Sequence, residues 1–138
     1  MILIIMKINM TTKSIGDKGE KIAARFLKKK GFRIIDRNKH QSKNELDIVA
    51  LNKQSVLFVE VKTRTVTENS ISVLGSAASA VNAKKQERTI AAARDYIFES
   101  PKSIKDREIR FDVIEVYLDN INFKLKAINH IENAFIVK

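Results

Sequence analysis

The chain has 138 residues, with 26 Lys and Arg against 16 Asp and Glu, and no cysteine. That length suits one compact domain around one core, and the missing cysteines exclude a disulfide framework, a thiolate zinc site and a cysteine nucleophile, as expected in a reducing compartment. A net charge of +10 points to an anionic partner such as nucleic acid, although charge alone separates nucleic acid from an anionic membrane poorly.

Met1 to Met6 are mostly apolar but too few to span a bilayer, and no small-residue cleavage site follows, so no export signal or membrane anchor is expected and the reading is cytoplasmic. Residues 1–12 are taken as a leader, either disordered or an added strand, and 13–138 as a single domain. From Ser14 to Lys30, Ile15, Gly19, Ile22, Ala23, Phe26 and Leu27 recur at helical spacing and Gly31 follows as a cap. Glu20 borders the apolar face of that helix. A carboxylate there is either a helix-end charge or a member of a site.

Phe32 to Arg37 is expected to be a strand at a sheet edge, and the polar, basic run Asn38 to Asn44 a turn. Two short apolar stretches follow, Glu45 to Ala50 and Val56 to Arg64, separated by Leu51-Asn52-Lys53-Gln54. Their β-branched content and polar break predict a β-hairpin. With Lys53-Gln54 as a two-residue turn, Asp47 faces Glu60 and Glu45 faces Lys62, and directly opposed side chains lie about 5 Å apart at Cβ. Two carboxylates in such a place repel unless one is protonated or a cation lies between them. A divalent cation such as Mg²⁺ or Mn²⁺, held by Asp47 and Glu60, relieves that cost and can activate water at a phosphodiester, with the Lys62 ammonium stabilising the developing charge. A salt-bridged hairpin that binds no metal satisfies the same spacing.

Beyond Arg64, Thr65 to Ser76 is weakly patterned and predicts a loop beside this place. Asn82 caps a helix running to about Glu99, with Ala83, Glu87, Ile90, Arg94 and Ile97 in one register. Lys84, Lys85 and Arg88 load its start with positive charge against the helix dipole; with Arg64 they are the candidate nucleic-acid-binding residues, a solvated face being the alternative. Strands are predicted over Glu108 to Leu118 and Asn122 to Ile131, and Ala134 to Val137 as a tail that docks on the core. His40 and His130 lack zinc-ligand spacing and are read as polar surface or turn residues. No phosphate-binding glycine loop or nucleophile elbow occurs. The order of helix, three strands, helix and two strands predicts an α/β fold with a mixed sheet between helices.

Gly16 to Ala24, Arg37-Asn38, Glu45-Leu46-Asp47-Ile48-Val49, Phe58 to Arg64, Lys84-Lys85 and Arg110-Phe111-Asp112-Val113 together resemble the YraN family (uncharacterised protein family 0102) from about Ser14 onward. That family belongs to the PD-(D/E)XK superfamily and is similar in its core to Holliday-junction resolvases. The resemblance implies a restriction-endonuclease-like three-layer α/β/α core. It also implies that Asp47 is the D of the motif, that Glu60-Val61-Lys62 is its ExK, and that Glu20 is the first-helix acid. Asn44 stands where the family usually has Gly. On this basis Glu20, Asp47, Glu60 and Lys62 are the candidate catalytic residues, and the expected activity is metal-dependent DNA endonuclease cleavage, either structure-selective or nonspecific. Two other readings stay open: a nucleic-acid-binding protein of nuclease fold without cleavage, and an adaptor for another protein. Nucleic acid, with DNA first, and a second copy of the chain in a homodimer are the partners considered.

Overall fold

The computed structural model describes residues 10–41, 43–67 and 82–136. In chain order these form helix α1 (Thr12–Lys29), strands β1 (Arg33–Gln41), β2 (Asn44–Leu51) and β3 (Ser55–Val66), helix α2 (Ala83–Phe98), a short helix α3 (Lys102–Lys105), and strands β4 (Glu108–Asp119) and β5 (Leu125–Phe135). The strands make one five-stranded sheet in sequence order, antiparallel except for the parallel pairing of β3 with β4. A parallel pair needs a crossover, and α2 lies in the connection that supplies it.

One helix packs on each face. Ala23, Ala24 and Leu27 of α1 meet Ile48, Ala50, Leu57, Val59, Ile114, Val116 and Leu118. Ala92, Ala93 and Tyr96 of α2 meet Val49, Leu51, Val56, Phe58, Phe111 and Val113 on the other face. The central strands β2, β3 and β4 are therefore apolar on both sides, which is why they read as near-continuous hydrophobic runs. The predicted α/β class and mixed sheet between helices are what the chain adopts. None of the described helices is long and apolar enough to cross a membrane.

Local signals set the boundaries. Thr11 caps α1, its hydroxyl accepting from the Ser14 N–H at 3.0 Å. At the other end Gly31, at φ +98, lets its own N–H reach the Lys28 carbonyl and the Phe32 N–H reach that of Leu27. A side chain at that φ would be strained, which is why glycine stands there. The β2–β3 turn forms as predicted: Asn52 pairs with Ser55 and its carboxamide oxygen accepts from the N–H groups of Gln54 and Ser55.

Several expectations change. The polar run beginning at Asn38 continues β1 as far as Gln41, because it lies on an edge strand where one side faces solvent. The inward face of α2 is Thr89, Ala92, Ala93 and Tyr96, with Ile90 and Ile97 flanking it. Glu87 and Arg94 are exposed. Tyr96 reaches the interior because its hydroxyl donates to Asp36 at 2.5 Å and its ring meets Phe58 edge-on. The predicted tail from Ala134 is the end of β5 itself, where Phe135 stacks on Phe111. Residues 1–9 of the proposed leader and most of the loop expected after Arg64 fall outside the described residues, and Thr65 and Val66 belong to β3.

His130 is likewise not a surface residue: its side chain is 4% exposed. Its Nε2 meets the buried Asp112 carboxylate at 2.8 Å and its Nδ1 meets Lys30 Nζ at 2.9 Å. Lysine can only donate, so the neutral ring carries its proton on Nε2 and gives it to Asp112. Arg110 donates to both Asp112 oxygens, at 2.7 and 3.3 Å, and the Asn133 N–H adds a further bond at 3.1 Å.

Candidate functional site

The site is a fork in the sheet. The antiparallel ladder between β2 and β3 runs from Leu51–Val56 to Ile48–Val59 and then stops. Beyond that point β2 continues beside β1 alone, and β3 continues beside β4 alone. Asp47 stands at the branch. Its Oδ2 accepts the Val61 N–H at 2.9 Å, so a carboxylate replaces the next ladder bond and satisfies a donor that the parting strands would leave open.

Asp47 and Glu60 are thus one step beyond the last ladder pair and share a small recess with Glu45, Leu46, Phe58, Val59, Lys85 and Thr89. The predicted pairing of Glu45 with Lys62 does not form through this ladder. Glu45 pairs instead with His40 across β1, with 3.9 Å between the His40 Nε2 and a Glu45 carboxylate oxygen. Lys62 is half-buried on β3, two residues beyond Glu60, and its parallel partner on β4 is Glu115.

Glu20 comes to the same fork from the α1 side. What allows this is Gly19: a Cβ there would lie 1.8 Å from Thr63 Oγ1 and 2.8 Å from Thr63 Cβ, so only glycine lets the helix approach β3 so closely. Glu20, Asn38, His40 and Glu45 then line one cleft with the start of α1. Asn38, at φ +51 within β1, lies between Glu20 and Glu45, and because both are acceptors the amide end facing them is assigned as its NH₂. Asparagine is among the few residues that adopt this backbone with little strain, so an expected turn-former is used inside a strand.

The acids crowd one another. Burial first, then the Asp47 charge, pushes the Glu20 carboxyl up from 4.5 to about 7, against a lowering effect of Arg37. Burial also pushes Asp47 up from 3.8 to about 6; the Val61 N–H opposes this, the Glu60 charge adds to it, and Lys85 opposes it. The nearby cations do not compensate the acids fully. Lys85 Nζ lies 3.8 Å from the Glu60 carboxylate. Of the four residues expected to hold nucleic acid, Lys85 is therefore drawn into the acid recess, whereas Arg64, Lys84 and Arg88 are exposed.

Among the described residues, no three His, Asp or Glu side chains converge closely enough to enclose an ion by themselves. Asp47 and Glu60 nevertheless fit a hard cation of the Mg²⁺ type, which commonly takes one or two carboxylates and completes its shell with water and substrate oxygen. The Asp47 and Glu20 carboxyls, raised by burial and by like charge, are ones whose ionised form added positive charge would favour. Sequence reasoning missed two contributors, Asn38 and Arg37, although both lie in one of the motifs that carry the family resemblance. It also missed that Lys85 belongs to the acids. The signal for Lys85 was its spacing from Thr89 and Ala92, which places it on the edge of the inward face of α2.

Comparison with known proteins gives one consistent result. A sequence profile of the uncharacterised protein family UPF0102 matches residues 19–116, a span that includes Glu20, Asp47, Glu60, Lys62, Lys85 and Asp112. A UPF0102 protein of Caldanaerobacter subterraneus subsp. tengcongensis is 42% identical over 123 residues, which is 89% of this chain and 95% of its own. One from Alkaliphilus oremlandii is 42% identical over 123 residues, covering 89% and 98%. One from Clostridioides difficile is 39% identical over 126 residues, covering 91% and 100%.

Proposed function

Because the chain belongs to the uncharacterised protein family UPF0102, whose description names no reaction, we propose its function from the site itself: metal-dependent hydrolysis of phosphodiester bonds in DNA. The observation that carries this reading is the fork at Asp47, where Asp47 and Glu20, both raised by burial and like charge, are gathered with Glu60 and Lys62 follows on the same strand. The resemblance of these positions to the PD-(D/E)XK pattern supports the same reading, as does the net charge of +10.

In this reading Asp47 and Glu60 hold the ion, and the bond from Val61 fixes the Asp47 carboxylate against the sheet. When bound, Mg²⁺ or Mn²⁺ supplies an acidified water and neutralises charge at phosphorus. The Lys62 ammonium stabilises the oxygens of the phosphoryl group as charge builds on them. Glu20 adds a third carboxylate that tunes the charge of the site, held in place by Asn38 and by the close α1–β3 approach. Exposed Arg64, Lys84 and Arg88 bind backbone phosphates without reading sequence.

The Lys85–Glu60 ion pair favours a second reading, a nucleic-acid-binding protein in which the acids are merely paired. One experiment separates the two. Purified protein with Mn²⁺ or Mg²⁺ is offered branched, flapped and single-stranded DNA. Cleavage that disappears in Glu60→Ala, and that falls about a hundredfold in Lys62→Ala while DNA affinity is retained, is the expected result. Binding without cleavage in either metal, or cleavage unchanged in Glu60→Ala, rejects the nuclease reading.

A further inference from the structure

Lys85 lies between two kinds of anion. Its backbone is fixed in the first turn of α2, where the Asn82 carboxamide oxygen accepts the Lys85 N–H at 2.9 Å. Its side chain is 45% exposed, yet its ammonium is 3.8 Å from Glu60, whose side chain is 14% exposed. That distance is at the long end for an ion pair and the stem is flexible, so the contact is one the ammonium can leave. Lys84 and Arg88 stand exposed on the adjoining face of the same helix.

An ammonium and a divalent cation beside Glu60 and Asp47 repel each other and compete for the same carboxylates. Resting on the reading above, we propose that Lys85 couples metal binding to nucleic-acid binding. In the ion-free protein its ammonium holds the place of the divalent cation against Glu60. When the cation enters, the ammonium leaves for a backbone phosphate beside Lys84 and Arg88.

This arrangement has a thermodynamic signature. The ion must displace Lys85, so the lysine weakens metal binding to the free protein. The displaced ammonium then finds a phosphate, so metal and nucleic acid each tighten the binding of the other by the same factor. A lysine serving only as a phosphate contact produces the second ligand's affinity without the first effect. A lysine serving only as a salt bridge to Glu60 weakens metal binding but does not couple it to nucleic-acid binding.

The test uses the full chain and its Lys85→Met variant, which keeps the length of the stem, with Lys84→Met as a charge-matched neighbour. Calorimetric titration with Mn²⁺ in the absence of DNA should show about threefold to tenfold tighter binding in Lys85→Met. Lys84→Met should change it less than about twofold, since its charge is exposed and screened. Binding of a fluorescein-labelled phosphorothioate oligonucleotide, which resists hydrolysis, is then measured with and without Mn²⁺. The factor by which Mn²⁺ tightens it should shrink in Lys85→Met and persist in Lys84→Met. Equal Mn²⁺ affinity in the parent and Lys85→Met, or an unchanged Mn²⁺ effect on oligonucleotide binding, overturns the proposal while leaving the metal site intact. Absence of Mn²⁺ binding to the parent overturns the metal site and this proposal together.

Discussion

Asp112 and Asp47 are both aspartates on central strands, and their surroundings push them in opposite directions. Asp112 has no exposed surface, but Arg110, His130 and the Asn133 N–H supply donors to both of its oxygens. Burial alone would raise its carboxyl; the bonds from His130 and Arg110 outweigh that and hold it below the ordinary value. Asp47 receives one backbone N–H and faces other carboxylates, and its carboxyl is pushed up to about 6. The first cluster is electrostatically complete within the fold. The second keeps a deficit of positive charge, and groups whose ionisation is perturbed by burial and like charge in a recess are where function is to be sought.

The same substitution at both places exposes this difference most strongly. Asp112→Asn leaves Arg110 and His130 around a neutral group and should cost about 3 kcal/mol or more, since breaking one partner of a buried ion pair strands the other. Asp47→Asn keeps an oxygen for the Val61 N–H and removes a repulsion, so at pH 8 it should cost nothing. Chemical denaturation of the two variants against the parent measures this. Equal losses would erase the distinction between a structural and a functional cluster.

A smaller effect comes from pH, with opposite signs. The lowered Asp112 carboxyl contributes stability that is fully present above its unfolded value near 3.8 and is lost as pH falls through its lower folded value. The raised carboxyls of Asp47 and Glu20 do the reverse. Their cost is absent below about 4 and fully present above about 6 and about 7. Measured without divalent ions, the parent should therefore lose stability relative to Asp47→Asn as pH rises from 4 to 6. Its advantage over Asp112→Asn should stay level there and shrink only at lower pH. A parent that gained on Asp47→Asn over that rise would contradict the account.

The two clusters were unequally visible in the sequence. The β2–β3 register followed from one turn, because the short Lys53-Gln54 break leaves little freedom and a period of two carries the pairing along the strands. Asp47 and Glu60 could be brought together on that basis. Glu45 and Lys62 could not, because the extrapolation assumed that the ladder continues, whereas Asp47 ends it by taking a backbone donor itself. Asn38 looked like a turn residue since polarity and a tolerance of positive φ are turn signals, and nothing local shows that an edge strand uses them. The Asp112 cluster escaped notice as a cluster because His130 reaches it from another strand, 18 positions away, and Lys30 from the end of α1. The inward face of α2 lies about one position from the expected one, as the consecutive Ala91-Ala92-Ala93 fit neighbouring registers and the Tyr96–Asp36 bond favours one of them. Helix α3, four residues long, is too short to leave a periodic signal.

The central claim is that the fork at Asp47 is short of one divalent cation. The most direct measurement is thermal unfolding at pH 8 with and without millimolar Mn²⁺, on the parent, Glu60→Gln and Asp112→Asn. A ligand that binds the folded chain alone raises stability by about 2.7 kcal/mol at a concentration of one hundred times Kd, so the shift is measurable even for modest affinity. The account predicts a rise in Tm for the parent, a comparable rise for Asp112→Asn from its lower starting point, and none for Glu60→Gln. No rise in the parent, or the same rise in Glu60→Gln, would contradict it.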